Sequence, residues 1–162
     1  MLGQPGEGFA LAMKNLNLYR ASVGASAVGM AQAGLDAAVR YAQGRPAFGK
    51  TLADLQGTQF KLADMATSLD AARLLVYRAA TLRDEGVEDT AKEASMAKLF
   101  ATEAAQQIVD QALQIHGGIG LVKDLHAVER LYRAVRPARI YEGANEVQRI
   151  VIAKQVLKED HR

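Results

Sequence analysis

Apolar residues recur along this chain at steps of three, four and seven. From Leu11 to about Tyr41 the series is Leu16, Val23, Ala27, Met30, Gly34 and Ala38. A second series is Leu55, Leu62, Met65, Leu69, Ala72, Val76 and Ala79, and a third is Ala94, Ala97, Ala101, Ala104, Ile108 and Ile115. Such spacing puts the apolar side chains on one face of a helix, with a near-heptad repeat suited to antiparallel bundles. The many Ala and Gly on the first and third faces predict a close approach of helix axes. Turn signals separate the series: "GRPAFG" (44–49), the polar "DEGVED" (84–89) and "HGGIG" (116–120). A shorter fourth helix is predicted from about Leu121 to Val135, stopped near Pro137. A fifth is predicted to begin near Glu142, with Val147, Ile150, Val151 and Leu157 on one side. The connections are short, so neighbours run antiparallel. The expected fold is all-α, an up-and-down bundle of three long helices plus two shorter C-terminal helices.

Composition supports this and narrows the chemistry. The 162 residues suit one domain, and 49% of them are apolar, enough for a core. Only three are proline. Basic and acidic residues number 20 and 18, and no Lys/Arg cluster reads as a nucleic-acid footprint. The absence of cysteine removes disulfides, thiolate nucleophiles and Cys-based metal sites. No apolar run approaches the roughly 20 residues of a membrane span. The segment "MLGQPGEGFA" lacks the pattern of a signal peptide and reads as a linker that begins mid-protein.

A helical bundle raises the possibility of a carboxylate-bridged metal pair, which needs Glu-x-x-His on facing helices. The residues three before His116, His126 and His161 are Leu113, Lys123 and Lys158, so that arrangement is absent. The histidines also lack zinc-ligand spacing, and no metal ligands are expected. No G-x-S-x-G nucleophile elbow occurs. The glycines of "HGGIG" follow a predicted helix rather than a strand, which argues against a nucleotide loop and for a helix stop. Glu142, between Tyr141 and Gly143, is on residue type alone a charge favourable at a helix start.

Six segments change that reading: "GEGF" (6–9), "LNLYR" (16–20), "RPAFGK" (45–50), "Q...FKLADM" (56–65), "QIHGGIG" (114–120) and "RIYEGANEVQRIVIAK" (139–154). Together, in order and over almost the whole chain, they resemble the C-terminal helical domain of the flavin-dependent acyl-CoA dehydrogenases. The resemblance covers only the last of that family's three domains; the N-terminal helical domain and the middle β-domain have no counterpart here. It implies α,β-desaturation of an acyl-CoA thioester to a trans-2-enoyl-CoA. A base takes the α-proton, the β-hydrogen leaves as hydride to FAD, and electrons pass to an electron-transfer flavoprotein. The α-proton is too weakly acidic for a surface carboxylate, so the base must be buried and the forming enolate stabilised.

The resemblance assigns the base to Glu142, in the pattern Tyr-Glu-Gly ahead of the last helix. It places Tyr141 and Gly143 against the substrate, and Gly143 allows close backbone approach. The family's alternative base position, just before the arginine of its first long helix, is Tyr19 here, which cannot act as a carboxylate. Tyr19 is expected as a partly buried aromatic on a helix face. Arg20 matches an arginine that contacts the CoA portion, and Asn17 stands where an aspartate is usual. Arg45 and Phe48 match residues that reach the FAD of a neighbouring subunit, where an arginine fork suits a pyrophosphate. Gln114, Gly117 and Gly118 match the segment that holds the FAD adenylate across the dimer. Ala144 and Glu146 match flavin-proximal positions, Ala144 replacing a threonine. Ala47 and Ala134 also stand where polar residues are usual.

The resemblance further implies a homo-oligomer, dimer or tetramer, located in the bacterial cytoplasm or the mitochondrial matrix. Two rivals remain at this point. One is a flavin oxidase of the same superfamily that passes electrons to oxygen. The other is a helical assembly module that has lost catalysis, a reading kept alive by Asn17, Ala47, Ala134 and Ala144.

Overall fold

The computed structural model describes residues 2–159. Helix α1 spans Gly8–Gly44, followed by a two-stranded antiparallel hairpin, β1 (Pro46–Ala47) and β2 (Lys50–Thr51). Helix α2 is Gln56–Asp84 and α3 is Ala91–His116. A short 3-10 helix at Gly117–Leu121 leads to α4 (Ala127–Val135), a second at Arg136–Arg139 follows, and α5 is Asn145–Glu159. The all-α bundle expected from the spacing is observed, with three long helices and two shorter ones.

Helix α3 is the central element. Its predicted stripe of Ala94, Ala97, Ala101, Ala104, Ile108 and Ile115 is buried throughout. Its neighbour on one side is α1, whose buried face includes Val23, Ala27, Ala31, Ala38 and Ala42. A Cβ added at Gly24 would stand 3.3 Å from the Ala97 carbonyl, and one at Gly34 would stand 3.2 Å from a Val109 methyl. These pairs rise together in number, so α1 and α3 run parallel, held close by small residues as the sequence suggested. Helix α2 packs antiparallel to both through Met65, Leu69, Ala72, Val76 and Ala79, and Arg73 reaches back to Gln32 Oε1 at 2.7 Å.

The fourth helix starts later than the pattern predicts. Leu121, Val122 and Leu125 have helical spacing, yet they are exposed in a turn that passes through Asp124 at φ 64°. The preceding glycines take the chain out of α3, with Gly117 at φ 65°, and Gly120 lies against the His116 Cβ. The helix restarts only at Ala127, and its Val128 and Val135 fill the core.

The fifth helix begins at Asn145, three residues after Glu142. It runs antiparallel to α3, since Asn145 meets Thr102 while Gln155 Nε2 meets Asp89 Oδ2 at 3.1 Å. Most of its predicted apolar side does not face the bundle: Val147, Ile150 and Leu157 are exposed and Val151 is half-buried, whereas Asn145 and Gln148 are buried. The inner face of α5 is polar because it is hydrogen-bonded to the loop that precedes it.

Candidate active site

That loop carries Glu142. It bends through two successive left-handed residues, Glu142 at φ 55° and Gly143 at φ 87°. A glutamate in this region costs about 1–2 kcal/mol. Glu142 lies ahead of the helix rather than in it, and the first-turn acid of α5 is Glu146. The helix-start reading of Glu142 therefore does not describe its place in the fold. Its Oε2 is buried and finds no hydrogen-bond partner among the described residues.

A larger residue at Gly143 would be strained at φ 87°, and its Cβ, 2.6 Å from Gln148 Nε2, would force that side chain to shift. Its carbonyl accepts two hydrogen bonds, from Lys98 Nζ at 2.9 Å and Gln148 Nε2 at 2.8 Å. Lys98, on α3, is fully buried and also donates to Asn145 Oδ1 at 2.8 Å. Asn145 in turn donates to Thr102 Oγ1 at 3.0 Å and Glu103 Oε1 at 2.8 Å, and Arg139 pairs with Glu103 Oε2 at 2.9 Å. Burial pulls the Lys98 ammonium down from 10.5 to about 8. Arg20 repels it in the same direction, and Glu103, Glu146 and Glu142 oppose the fall.

Arg20 is not the exposed helix arginine that its position on α1 alone would suggest. It is 3% exposed, with Nη2 3.7 Å from the place a Gly143 Cβ would occupy. Burial lowers its pKa, and the Glu142 charge counteracts that. Its Nη1 donates to Asn17 Oδ1 at 2.6 Å, so the asparagine keeps the acceptor an aspartate would offer. Arg20 Nε is buried without a partner among the described residues. The other face of Asn17 lines a cleft of about 340 Å³ between α1 and α2, with Lys14, Leu18, Ala21 and Arg83. Tyr19 is exposed, against the expectation of partial burial, because its side of α1 has no helix against it.

The remaining predicted residues form a second group at the far end of α1. Arg45 is exposed, and with Arg40, Tyr41, His116 and His126 it lines a cleft of about 570 Å³. The His116 ring stacks on Tyr41 at 4.3 Å and meets His126 at 5.0 Å. Its Nδ1 donates to the Ala112 carbonyl at 2.7 Å, and burial lowers its pKa. Phe48 is 92% exposed at the hairpin tip, at φ 53° beside Gly49 at φ 76°. Two positive φ values define the type I′ turn, which normally takes Asn or Gly at the first place. Gln114, Gly117 and Gly118 are exposed, with open space beside both glycines. Twenty-five residues of helix separate Arg20 from Arg45, about 37 Å at 1.5 Å each. The predicted site residues thus make two groups, one with Asn17, Arg20, Tyr141, Glu142, Gly143, Ala144 and Glu146, the other with Arg45, Phe48, Gln114, Gly117 and Gly118. His161 lies outside the described residues.

A sequence profile described as "Acyl-CoA dehydrogenase, C-terminal domain" matches residues 6–157. The chain belongs to the acyl-CoA dehydrogenase family. It is 53% identical over 158 residues to a mitochondrial short-chain specific acyl-CoA dehydrogenase of Sus scrofa, covering 98% of this chain and 38% of that protein. It is 55% identical over 158 residues to a 3-(aryl)acrylate reductase of Clostridium sporogenes, covering 98% and 41%. The structure of butyryl-CoA dehydrogenase from Megasphaera elsdenii superimposes with a TM-score of 0.94 at 42% identity, over 97% of this chain and 40% of that one. The chain therefore spans about two-fifths of the length of these acyl-CoA dehydrogenase relatives. Among the described residues no helix is long and apolar enough to cross a membrane.

Residue-type reasoning overlooked Lys98, Thr102, Asn145 and Gln148. A signal was present for one of them. Lys98 stands four residues after Ala94 and three before Ala101, in register with the apolar face of α3. A charge at an inward position asks for a buried partner.

Proposed function

We propose that this chain is the C-terminal helical domain of a flavin-dependent acyl-CoA dehydrogenase, with Glu142 as the base that takes the α-proton of an acyl-CoA thioester. One observation carries the reading: a carboxylate oxygen is buried without a protein partner, on a left-handed turn fixed by buried groups. An isolated polar atom in such a place is costly unless something absent satisfies it. A substrate α-proton beside the turn would do so. Gly143 makes the turn possible: it takes φ 87°, and the place of its missing side chain is filled by Gln148, which holds the backbone beside Glu142.

Around it the residues divide the work. Glu142 holds the proton after transfer. Arg20 places a buried positive charge near the carboxylate, and its partner Asn17 lines the cleft that would take part of the CoA chain. Tyr141 and Gly143 flank the reacting carbons. Bound FAD would supply the acceptor for the hydride leaving the β-carbon. The exposed aromatic tip of Phe48, the exposed Arg45 and the open backbone at Gly117 and Gly118 fit a flavin dinucleotide: an arginine for its pyrophosphate and uncovered glycines for close packing. Ala144 and Glu146 would lie near the flavin beside Glu142. The distance of about 37 Å along α1 supports two cofactor contacts, one by the base and one reaching a neighbouring subunit's FAD. A homo-oligomer, dimer or tetramer, is part of this reading. An electron-transfer flavoprotein would take the electrons onward. The bacterial cytoplasm or mitochondrial matrix belongs to the same proposal, by analogy with relatives named from Bacillus subtilis and from mitochondria.

A second reading concerns direction. One relative carries the name of a reductase at 55% identity. The same geometry serves reduction of a 2-enoyl thioester, with the Glu142 carboxylic acid returning the proton to the α-carbon.

Stopped-flow reduction of the flavin-loaded enzyme by saturating acyl-CoA tests the base. Glu142→Gln should slow it by about 10²–10⁴-fold, as for loss of a general base, with acyl-CoA binding little changed. Wild-type reduction by Glu142→Gln would remove Glu142 from the chemistry and favour a non-catalytic role for its loop, whereas no reduction in the wild-type enzyme would favour the assembly module. Oxygen consumption during turnover would instead identify an oxidase.

A further inference from the structure

The Glu142–Gly143 turn does not hold itself. Both residues are left-handed, and the glutamate would relax to an ordinary conformation if released. The restraints come from two helices. Gln148 belongs to α5 and moves with the loop. Lys98 belongs to α3 and ties the loop to the centre of the bundle. Its ammonium occupies one lone pair of the Gly143 carbonyl, Gln148 the other. The same ammonium grips Asn145, the first residue of α5, whose amide is held by Thr102 and Glu103 of α3. A purely mechanical cross-link could be neutral. A fully buried ammonium carries a desolvation cost that a neutral donor avoids, so its charge has a use. The charges facing it are Arg20 from α1, Glu103 on its own helix, Glu142 in the loop and Glu146 on α5. Of these, Glu142 alone has a buried carboxylate oxygen without a partner among the described residues.

We infer that Lys98 is a positioning residue for Glu142: its ammonium clamps the Gly143 carbonyl and the Asn145 side chain and so fixes the turn that aims the carboxylate. The inference rests on Glu142 being the base. No part of it requires Lys98 to touch substrate.

Lys98→Met is the test, since methionine fills much of the same volume without donor or charge. In its absence the Gly143 carbonyl keeps Gln148 as a donor, and the Asn145 amide group keeps Thr102 and Glu103 as acceptors. In the flavin-loaded enzyme, flavin reduction by saturating acyl-CoA should fall about 10- to 100-fold, as expected for misplacing a reacting group by about 1 Å. Acyl-CoA affinity should stay near wild type. The double variant Lys98→Met/Glu142→Gln should be no slower than Glu142→Gln alone, because Lys98 acts through Glu142. A readout independent of flavin is amide exchange in this chain: protection should drop at residues 141–148 and persist in the rest of α3. Should Lys98→Met not fold, Lys98→Gln carries the same ordering of rates and exchange. A wild-type reduction rate in the lysine variant, multiplying defects in the double variant, or unchanged exchange at 141–148 would overturn the inference while leaving Glu142 as base. Unchanged reduction in Glu142→Gln alone would instead overturn the base reading, and with it the purpose assigned to Lys98.

Discussion

Replacing Lys98 by methionine should change how stability depends on pH. In the folded chain the ammonium releases its proton near pH 8, against 10.5 for an ordinary lysine. Between these values the unfolded chain binds more protons than the folded one, so stability rises with pH there. Below about pH 8 both states carry the charge, and the folded state bears the full cost of burying it. Above about pH 10.5 neither does, and the cost is gone. At about 1.4 kcal/mol per pH unit, the whole span amounts to about 3 kcal/mol. Methionine has no such dependence. The stability of the wild-type chain minus that of Lys98→Met should therefore shift toward wild type by up to about 3 kcal/mol from pH 7 to pH 10.5. Taking a difference cancels every other titrating group common to both. Urea unfolding followed by circular dichroism at a series of pH values measures it, with equal slopes in urea as the check that the same transition is seen. A difference that stays flat across this range would mean that Lys98 titrates as an ordinary surface lysine. The buried ammonium on which its placement is argued would then be wrong.

Three further outcomes are expected. Gly143→Ala should lower stability by about 1–3 kcal/mol in thermal or urea unfolding, because a Cβ at φ 87° meets Gln148 Nε2 at 2.6 Å; a variant as stable as wild type would show that the turn relaxes freely. Burial holds His116 below its usual pKa, so its contribution is present above about pH 6.5 and is lost as the pH falls through the folded value. Wild type should accordingly lose stability relative to His116→Phe on acidification below pH 6.5, and a constant difference would refute the burial argument. Phe48→Asn should leave the chain as stable or raise its stability by up to about 1 kcal/mol, since asparagine suits the left-handed turn position. The same change should weaken FAD retention in the loaded enzyme, measured by flavin loss on gel filtration; unchanged retention would remove Phe48 from the cofactor site.

Periodicity was a good guide where inward positions are apolar. Every residue of the predicted α3 stripe is buried, and the breaks at Gly44–Gly49 and His116–Gly120 fall where the helices stop. It failed where burial is bought by hydrogen bonds. Helix α5 turns Asn145 and Gln148 inward and Val147, Ile150 and Leu157 outward, with Val151 half-buried, largely the reverse of what hydropathy implies. Leu121, Val122 and Leu125 misled in the same way, because their exposed segment, the end of a 3-10 helix and the turn after it, has α-helical spacing without an α-helix. In the site, Glu142 and Gly143 were legible through family resemblance. Lys98 was not, since its meaning depends on a carbonyl 45 residues away. The burial of Arg20 likewise depends on the loop that folds over it.

The seam between α1 and α3 has a consequence for how this chain can vary over generations. Many of its buried positions, among them Gly24, Ala27, Gly34 and Ala38 on one helix and Ala97, Ala101, Ala105 and Ala112 on the other, already stand at or next to the smallest residue available. Random change there can add atoms but can hardly remove them. A leucine-rich core drifts in both directions, shrinking at one site and growing at another to compensate. This one has few larger neighbours, such as Val109, that could shrink in return, and beyond them it must move a helix; α3 carries Lys98 and the anchor of the Glu142 loop. Drift in the seam would therefore reach the loop as displacement, whereas the exposed side of α5 is free to diverge.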